Sequence, residues 1–331
     1  MALQDWLILS YHVVLVPIAL LAPDGHDHGA VARGFVLLLA FVLLSMLTVR
    51  ADLLERPRAS GILYRLIILC SIQASYYQMG HLLPTIYPTT LDQSILDFDL
   101  WLFGFEPAVL MNAWVTPLVT EWFSFAYYGY FFFLSLFVLP MFFLTRHARA
   151  AGEFSLGLSF IFGVGHLLYF VVPGYGPGVA MPELFTAPLG NGFWTSLMNS
   201  TVREFGAHMD IFPSIHTAVP VFLCLFAFRH RQSFLYGRAL LGLTRIIPGL
   251  RPLVPKLSKG WTLATFFTLN IVIATMYLRW HYLADVVAGL ALGILGYSVS
   301  VRVGEREAAY RKRANVGRIW PLLAPRRARD A

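Results

Sequence analysis

Two short segments of this sequence contain the residues best suited to catalysis. IFPSIHTAVP (211–220) contains His216, and YLRWHYLADVVAG (277–289) contains His281 and Asp285. Asp285 follows His281 by four residues, so their side chains lie on one face of a helix. A carboxylate in that position can accept a hydrogen bond from one imidazole nitrogen and leave the other nitrogen free to attack. We therefore predict that His216, His281 and Asp285 are catalytic.

The composition indicates that these residues belong to a membrane protein. Of the 331 residues, 57% are hydrophobic and only 13% are charged, and the mean hydropathy is +0.64. A soluble domain contains nearly twice this fraction of charged residues. The apolar density predicts an all-α, polytopic membrane protein with one catalytic domain over residues 1–301 and a basic cytoplasmic tail over residues 302–331.

The apolar residues form runs that are long enough to cross a bilayer, for which about 20 residues are needed. The stretch from Trp261 to Val301 is about 40 residues long, so we predict that it turns back at Arg279, Trp280 and His281. With that turn, we predict about eight transmembrane helices, over 7–22, 32–49, 62–84, 122–145, 154–173, 214–228, 262–279 and 281–301.

The charged residues predict the orientation of this bundle. Basic residues are concentrated in the loops after the second, fourth and sixth apolar runs and in the tail, which all fall on one side. The positive-inside rule makes that side cytoplasmic, with both termini inside. His216 and His281 then lie together at the outer surface. The long outer loops, 85–121 and 174–213, are rich in Trp and Phe, and we predict that they lie at the interface and cover the site.

A structural explanation of the three residues has to be weighed. A single histidine at the end of a helix is more often structural than catalytic, and Asp285 could simply be favoured by the macrodipole at a helix start. Ionisable residues within membrane segments are costly, however, and usually functional. Two histidines at one membrane depth, one with a matched aspartate, favour the catalytic interpretation.

The segments resemble those of the type 2 phosphatidic acid phosphatase (PAP2) superfamily, and more closely its inositol phosphorylceramide synthase-like branch. The resemblance covers about residues 95–290 and rests on PSIHTA (213–218), HYLAD (281–285) followed by VVAG, LFGFEP (102–107) and PGYGP (173–177).

The resemblance implies a six-helix core over about residues 95–301 and a role for each catalytic residue. It implies that His281 attacks phosphorus and becomes phosphorylated, that Asp285 orients His281, and that His216 protonates the leaving group. It also implies that no metal and no cofactor take part. The spacing of histidines, cysteines and carboxylates agrees, because it shows no typical set of metal ligands.

Three positions differ from the simple phosphatases of this superfamily. Gly178 stands where a basic residue is expected, Thr275 stands where the phosphatases carry an arginine, and Ile215 replaces the glycine of their PSGH motif. These differences fit the transferase branch better.

Several residues near the motifs are predicted to bind substrate. Arg279 lies two residues before His281, and Arg203 opens the segment that leads to PSIHTA. A guanidinium suits phosphate oxygens, although either arginine could instead be an interfacial anchor. The backbone around Ser214 begins a helix and could bind an anion. The other predicted substrate-binding residues are Tyr282, His208 and Asp210, of which the last two could also simply face water.

The leading functional hypothesis is a lipid phosphotransferase. An inositol-phosphate-like headgroup would pass through a phosphohistidine from a phospholipid donor to a lipid hydroxyl such as that of ceramide. The alternative is a PAP2-type lipid phosphate phosphatase, in which water is the acceptor. A transporter or channel is less favoured, because its ionisable residues would be spread through the depth of the bilayer, whereas here they cluster at one face.

The expected partners are the donor lipid, the acceptor lipid and the surrounding membrane lipids. We expect no nucleic-acid partner, because the net charge of +7 follows the membrane topology. The sequence leaves the oligomeric state open. The excess of arginine over lysine favours a bacterial inner membrane with a periplasm-facing site, and a Golgi membrane with a lumenal site is the alternative.

Overall fold

A computed structural model of the chain describes residues 1–23, 28–145, 147–231, 248–250, 260–317, 319–321 and 323. Within these residues the fold is helical, and the only strand-like contact is a single bridge between Gly174 and Asp210. The α-helices are α1 (Leu3–Leu21), α2 (His28–Arg50), α3 (Pro57–Ile86), α4 (Asp92–Phe103), α5 (Pro107–Met111), α6 (Pro117–Leu139), α7 (Ala148–Tyr169), α8 (Pro177–Ala180), α9 (Phe193–Phe205), α10 (Ile215–Arg229), α11 (Gly260–Tyr277), α12 (Leu283–Ser298) and α13 (Gly304–Ala314).

The eight predicted apolar runs correspond to α1, α2, α3, α6, α7, α10, α11 and α12. Six helical segments in the described part of the chain are long and apolar enough to cross a membrane, whereas α10 and α11 are apolar but shorter. The prediction of an all-α, polytopic membrane fold is therefore confirmed.

The predicted reversal near His281 is also present. Helix α11 ends at Tyr277 and α12 begins at Leu283. Between them, the backbone N–H groups of Trp280 and His281 both donate to the carbonyl of Thr275, at 3.0 and 3.2 Å. Arg279 adopts a left-handed backbone conformation with φ of 64°, which is uncommon for a residue with a side chain and allows the tight turn.

Helices α10 and α12 run parallel and begin at the same end of the bundle. Successive glycines of α12 meet successive carbonyls of α10, because a Cβ atom on Gly289 would lie 2.5 Å from Ser214 O and one on Gly293 would lie 2.5 Å from Ala218 O. Glycine at these positions allows the two backbones to approach closely. The close approach brings the segments that contain His216 and His281 together.

At the opposite end of the bundle, the start of α1 contacts α13. The backbone N–H of Leu3 donates to Glu307 at 3.0 Å, and Arg311 donates to the carbonyl of Met1. At the same end, Glu305 accepts hydrogen bonds from Arg149 on α7 and Arg229 on α10. The charge pattern of the sequence predicts that Arg149, Arg229 and the tail lie on the side opposite the histidines, and the structure agrees.

The segment predicted as a tail is partly built into this end. The helix continues from α12 through a short π-helix, Val299–Val303, into α13. Beyond it, Trp320 is fully buried and packs against Tyr64 and Phe142. Residues 324–331 and most of the predicted cytoplasmic loop 229–260 lie outside the described residues.

The orientation in the membrane can be tested by labelling single cysteines. Cys70 and Cys224 are first replaced by serine, and cysteine is introduced at exposed Glu183 in the segment before α9 or at exposed Arg313 on α13. We expect a membrane-impermeant maleimide to label Glu183→Cys on intact cells and Arg313→Cys only after permeabilisation. The reverse pattern would place the histidines on the cytoplasmic side.

The contact between α10 and α12 predicts a sensitive glycine. Gly289→Ala forces a methyl group against the Ser214 carbonyl and the Thr217 side chain, so we expect the free energy of unfolding to fall by about 1–3 kcal/mol. The measurement is thermal unfolding in detergent. Gly163→Ala on α7 is the matched control, because its added methyl group meets only ordinary van der Waals contacts at 3.8 Å or more. Equal stability of the two variants would contradict the prediction.

Candidate active site

His281 and Asp285 form a buried pair at the start of α12. The His281 Nδ1 atom lies 3.5 Å from Asp285 Oδ2, and the side chains are 5% and 0% exposed. The same Asp285 oxygen accepts a hydrogen bond from the backbone N–H of Tyr282 at 2.9 Å. Because the carboxylate faces Nδ1, the other ring nitrogen, Nε2, is the one available for attack on a substrate.

A backbone hydrogen bond connects the two histidine segments. The N–H of Ser214 donates to the carbonyl of Asp285 at 3.0 Å, and His216 follows in the first turn of α10. The first turn of a helix presents N–H groups without helical partners and favours an anion. The start of α10 therefore combines a histidine with a favourable place for a phosphate group.

Two tyrosines fix the position of His216. The ring of Tyr127 stacks on the imidazole at a centroid distance of 4.3 Å and an interplanar angle of 12°, and Tyr130 contacts it at 4.3 Å in a tilted arrangement. The Nε2 atom of His216 is buried and has no hydrogen-bond partner within the described structure. Because an unpaired buried polar atom is costly, this nitrogen is well suited to exchange a proton with a substrate.

The two histidines line one cavity of about 400 Å³. Its walls come mainly from α3, α6 and α7, and α9 contributes Met198, Val202 and Phe205. Along α6 and the short π-helix that follows it (Pro140–Leu144), the lining extends from Tyr127 to Phe142, which corresponds to about 22 Å at 1.5 Å per residue. The cavity thus extends from the histidine end through most of a hydrocarbon core about 30 Å thick.

The wall of this cavity is aromatic and contains few charges. Among the described residues that line it, none is lysine or arginine, and Asp210 is the only carboxylate. The tyrosines on the wall are Tyr76, Tyr127, Tyr128, Tyr130, Tyr169 and Tyr175. A phosphate group in this cavity would be bound by neutral donors, by a helix start and by histidine.

Carboxylates from the outer loop hold the first turn of α12. Asp99 accepts a hydrogen bond from the backbone N–H of Ala284 at 3.1 Å, and Glu106 accepts one from Leu283 at 3.5 Å. Glu106 also caps α5 by accepting from the N–H of Ala108. These contacts satisfy donors at the start of α12 that the helix itself cannot.

Asp92 joins this cluster from the start of α4. It accepts hydrogen bonds from the backbone of Tyr175 and Gly176, at 3.0 and 2.9 Å, and from the phenol of Tyr282 at 3.1 Å. The segment 173–177, which the sequence analysis singled out as PGYGP, is thereby connected to the residue that follows His281.

Burial, together with the neighbouring carboxyl group of Asp99, raises the pKa of Glu106 to about 8, although hydrogen bonds from the backbone N–H groups of Ala108 and Leu283 act in the opposite direction. The protonated form is therefore favoured by the folded state. Its contribution to stability is present at low pH and is lost as the pH rises from about 4.5 towards 8. Ionisation of Glu106 would put two negative charges beside the start of α12.

The structure brings some of the predicted substrate-binding residues to the cavity and not others. His208 and Asp210 line it, with His208 in a left-handed conformation at φ of 65°. Ser214 is fully buried beside the first turn of α10, and its hydroxyl has no partner in the described structure. Tyr282 is fully buried behind the site, where it contacts Asp92.

The two predicted arginines lie elsewhere. Arg203 is exposed on α9, where its Nε lies 3.6 Å from a carboxylate oxygen of Glu204. Arg279 donates to Asn112 and to the carbonyl of Ala187, and its guanidinium lies 4.2 Å from the ring centre of Phe185. Neither residue lines the cavity. Burial lowers the pKa of Arg279.

Sequence reasoning missed two sets of residues that shape the site. Tyr127 and Tyr130, which pack on His216, occur in an aromatic run that cannot be told from an ordinary membrane helix. Asp92 and Asp99 carried a usable signal, because two acidic residues seven positions apart lie on one face of the apolar segment DQSILDFDLWLF.

In a comparison with known proteins, one family model matches the part of the chain that contains this site. The family model described as the PAP2 superfamily matches residues 178–308, which include His216, His281 and Asp285. The match suggests an enzyme that acts on lipid phosphoesters as a phosphatase or a phosphotransferase. No curated protein and no solved structure matches the chain.

The described residues contain no group of three or more histidines, cysteines or carboxylates arranged to hold a metal ion. Asp92, Asp99, Glu106 and Asp285 are instead engaged mainly with backbone N–H groups.

Glu106 predicts an alkaline limit to activity. Because its ionisation places a second charge beside Asp99, we expect kcat/KM to fall as the pH rises through about 8. In Glu106→Gln the side chain still offers a carbonyl oxygen as an acceptor but cannot ionise. The fall in kcat/KM should therefore disappear from the pH profile. Exposed Glu183→Gln is the control and should keep the wild-type profile. An unchanged alkaline limb in Glu106→Gln would refute the assignment.

Proposed function

We propose that this protein is a membrane lipid phosphotransferase that works through a phosphohistidine at His281. The observation that carries the proposal is the pair of histidines on the wall of one long, largely apolar cavity, with Asp285 behind His281. The match to the PAP2 superfamily supports chemistry on a lipid phosphoester.

The cavity supports a lipid as substrate. Its deep part is lined by apolar side chains such as Ile68, Leu134, Val138 and Leu158, which would solvate a hydrocarbon chain. The polar part, with His216, His281 and Asp210, lies at the end where α10 and α12 begin. A lipid with its phosphate at the histidines and a chain in the deep part matches this distribution.

The charge of the cavity favours a phosphodiester over a phosphate monoester. At neutral pH a monoester carries close to two negative charges, whereas a diester carries one. The described lining contains no lysine or arginine to compensate a dianion, and burying unpaired charge is expensive. A phospholipid diester, the donor of a phosphotransferase, is therefore the better fit than the monoester substrate of a phosphatase.

In the first step, Nε2 of His281 attacks phosphorus. A P–N bond forms and the P–O bond to the diacylglycerol oxygen breaks, while His216 gives its proton to that oxygen. Asp285 stabilises the positive charge that develops on the His281 ring through Nδ1–H. The intermediate is a headgroup phosphate bound to His281.

In the second step, the hydroxyl of an acceptor lipid attacks phosphorus. His216 takes the hydroxyl proton, the new P–O bond forms, and the P–N bond breaks to restore His281. Water as the acceptor would turn the same site into a phosphatase. The aromatic wall and the covering outer loops favour a lipid acceptor because they limit the access of water.

We place the site at the outer surface of the membrane, in a bacterial inner membrane with the site facing the periplasm. The charge asymmetry between the two sides supports this orientation. Exposed apolar side chains on the covering segments, such as Trp101, Trp114 and Phe193, fit segments that lie in the interface.

Substitution of the three residues should separate their roles. We expect His281→Ala to abolish the covalent phosphoenzyme and nearly all turnover, because no other group replaces the attacking nitrogen. The turnover rate of His216→Ala should be about 10²–10⁴-fold lower than that of the wild type with a lipid donor. The loss should be much smaller with a p-nitrophenyl phosphodiester, whose leaving group needs no proton. The turnover rate of Asp285→Asn should lie between those of the other two variants, because asparagine has the shape of aspartate but misorients His281.

The measurements are trapping of labelled phosphate on denatured enzyme and the rate of diacylglycerol release. His81→Ala is the matched control, because His81 is exposed near the outer end of α3 and does not line the cavity. Labelled phosphate trapped on His216, or a phosphoenzyme that persists in His281→Ala, would reverse the assigned roles.

A further inference from the structure

Asp210 is a carboxylate held at the cavity wall without a cationic partner among the residues that line the described cavity. Its position is fixed from two sides. The backbone pairs with Gly174 in the isolated bridge, and the phenol of Tyr76 donates to Oδ2 at 2.5 Å. Tyr76 is itself held by the backbone N–H of Ala207, which donates to its oxygen at 3.2 Å. A carboxylate fixed in this way offers a preorganised negative charge to a ligand.

Tyrosine side chains share the cavity wall with this carboxylate. Tyr76, Tyr127 and Tyr169 all line the cavity, with Tyr76 stacked on His166 and Tyr127 stacked on His216. The faces of aromatic rings attract cations, and several such faces around one space recognise quaternary ammonium groups. The negative charge of Asp210 is the principal attraction for an ammonium group in this cavity, whose wall also carries tyrosine rings.

The charge balance of the occupied cavity points the same way. A phosphodiester donor brings one negative charge and Asp210 brings another, while His216, which the proposed first step requires to be protonated, supplies one positive charge. A neutral headgroup such as inositol leaves one negative charge without compensation in a site that holds no lysine or arginine on its described walls. An ammonium headgroup supplies the missing positive charge, and burial of charge is tolerated only when it is paired.

We propose that Asp210, held in place by the hydroxyl of Tyr76, forms a subsite for the cationic headgroup of a zwitterionic phospholipid of the choline or ethanolamine class. The proposal rests on the phosphotransferase function and names its donor. It replaces the inositol-phosphate-like headgroup that the sequence resemblance implies. The headgroup stays attached to phosphorus in the first step, so the subsite also holds it in the phosphoenzyme.

The test compares donors that differ only in the headgroup. Short-chain phospholipids with choline, ethanolamine, glycerol or inositol headgroups are offered to the purified full chain in detergent, and kcat/KM for diacylglycerol release is measured. We expect the wild type to prefer the ammonium donors. Asp210→Asn removes the charge and keeps an acceptor for Tyr76, so the ratio of kcat/KM for choline to that for glycerol should fall about 10-fold or more.

The matched control is Asp97→Asn. Asp97 is exposed on α4 and accepts only from Gln93, so this substitution removes one negative charge without touching the cavity. Its donor ratio should equal that of the wild type. A wild type that prefers the inositol or glycerol donor, or an Asp210→Asn donor ratio equal to that of Asp97→Asn, would overturn the subsite.

A binding measurement keeps the subsite testable apart from turnover. A ligand that binds only the folded protein raises its unfolding temperature by mass action. Tetramethylammonium chloride should stabilise the wild type more than sodium chloride of equal ionic strength does, and this difference should vanish in Asp210→Asn. If it is absent in the wild type, the subsite is refuted.

The two proposals fail in different ways. A phosphoenzyme that forms from the inositol donor alone would refute the ammonium subsite and leave the phosphotransferase standing. Specific stabilisation by tetramethylammonium without release of diacylglycerol from any donor would refute the phosphotransferase and support the subsite.

Discussion

The backbone hydrogen bond from Ser214 to the carbonyl of Asp285 is the contact on which the rest of the site depends. It requires two parallel helices to begin at the same level and to approach until their backbones touch. Gly289 and Gly293 make that approach possible, since any side chain there would meet a carbonyl of α10. In a bilayer, helices associate through close packing of this kind and not through the hydrophobic effect. The alignment of His216 with His281 follows from this packing.

The outer loop is part of the same construction. Burying a carboxylate is costly unless hydrogen-bond donors compensate it, and here the compensation comes from backbone N–H groups at helix starts and turns. Asp99 and Glu106 are engaged with the first turn of α12, and Asp92 with the turn at Tyr175 and Gly176. The cost of burying these acids is thus offset by the donors that would otherwise be unsatisfied. The result is a hydrogen-bonded support behind Asp285.

The sequence predicted the features that depend on local spacing. The apolar helices, the turn near Arg279 and the single-turn spacing of His281 and Asp285 all follow from hydropathy and helical periodicity. Features that depend on contacts between residues far apart in the chain could not be predicted from the sequence. Hydropathy could not show that Tyr127 and Tyr130 pack on His216, or that Arg203 points away from the cavity. Nor could it show that Trp320, in a basic tail, is buried against α3 and the end of α6, because the composition there resembles a solvated segment.

A site for phosphate chemistry without a permanent cation on its described walls has a mechanistic consequence. Two unit charges 4 Å apart interact by about 4 kcal/mol at an effective dielectric constant of 20, so a fixed arginine would bind a phosphate strongly throughout the reaction. Such uniform binding lowers the energy of the bound substrate as much as that of the transition state and does not increase kcat. In the proposed mechanism the positive charge resides on imidazoles. There, the charge on His281 develops only as phosphorus is attacked, where Asp285 can stabilise it, and the proton of His216 moves as the P–O bond breaks. The electrostatic stabilisation is therefore concentrated in the transition state, which is where it increases the rate.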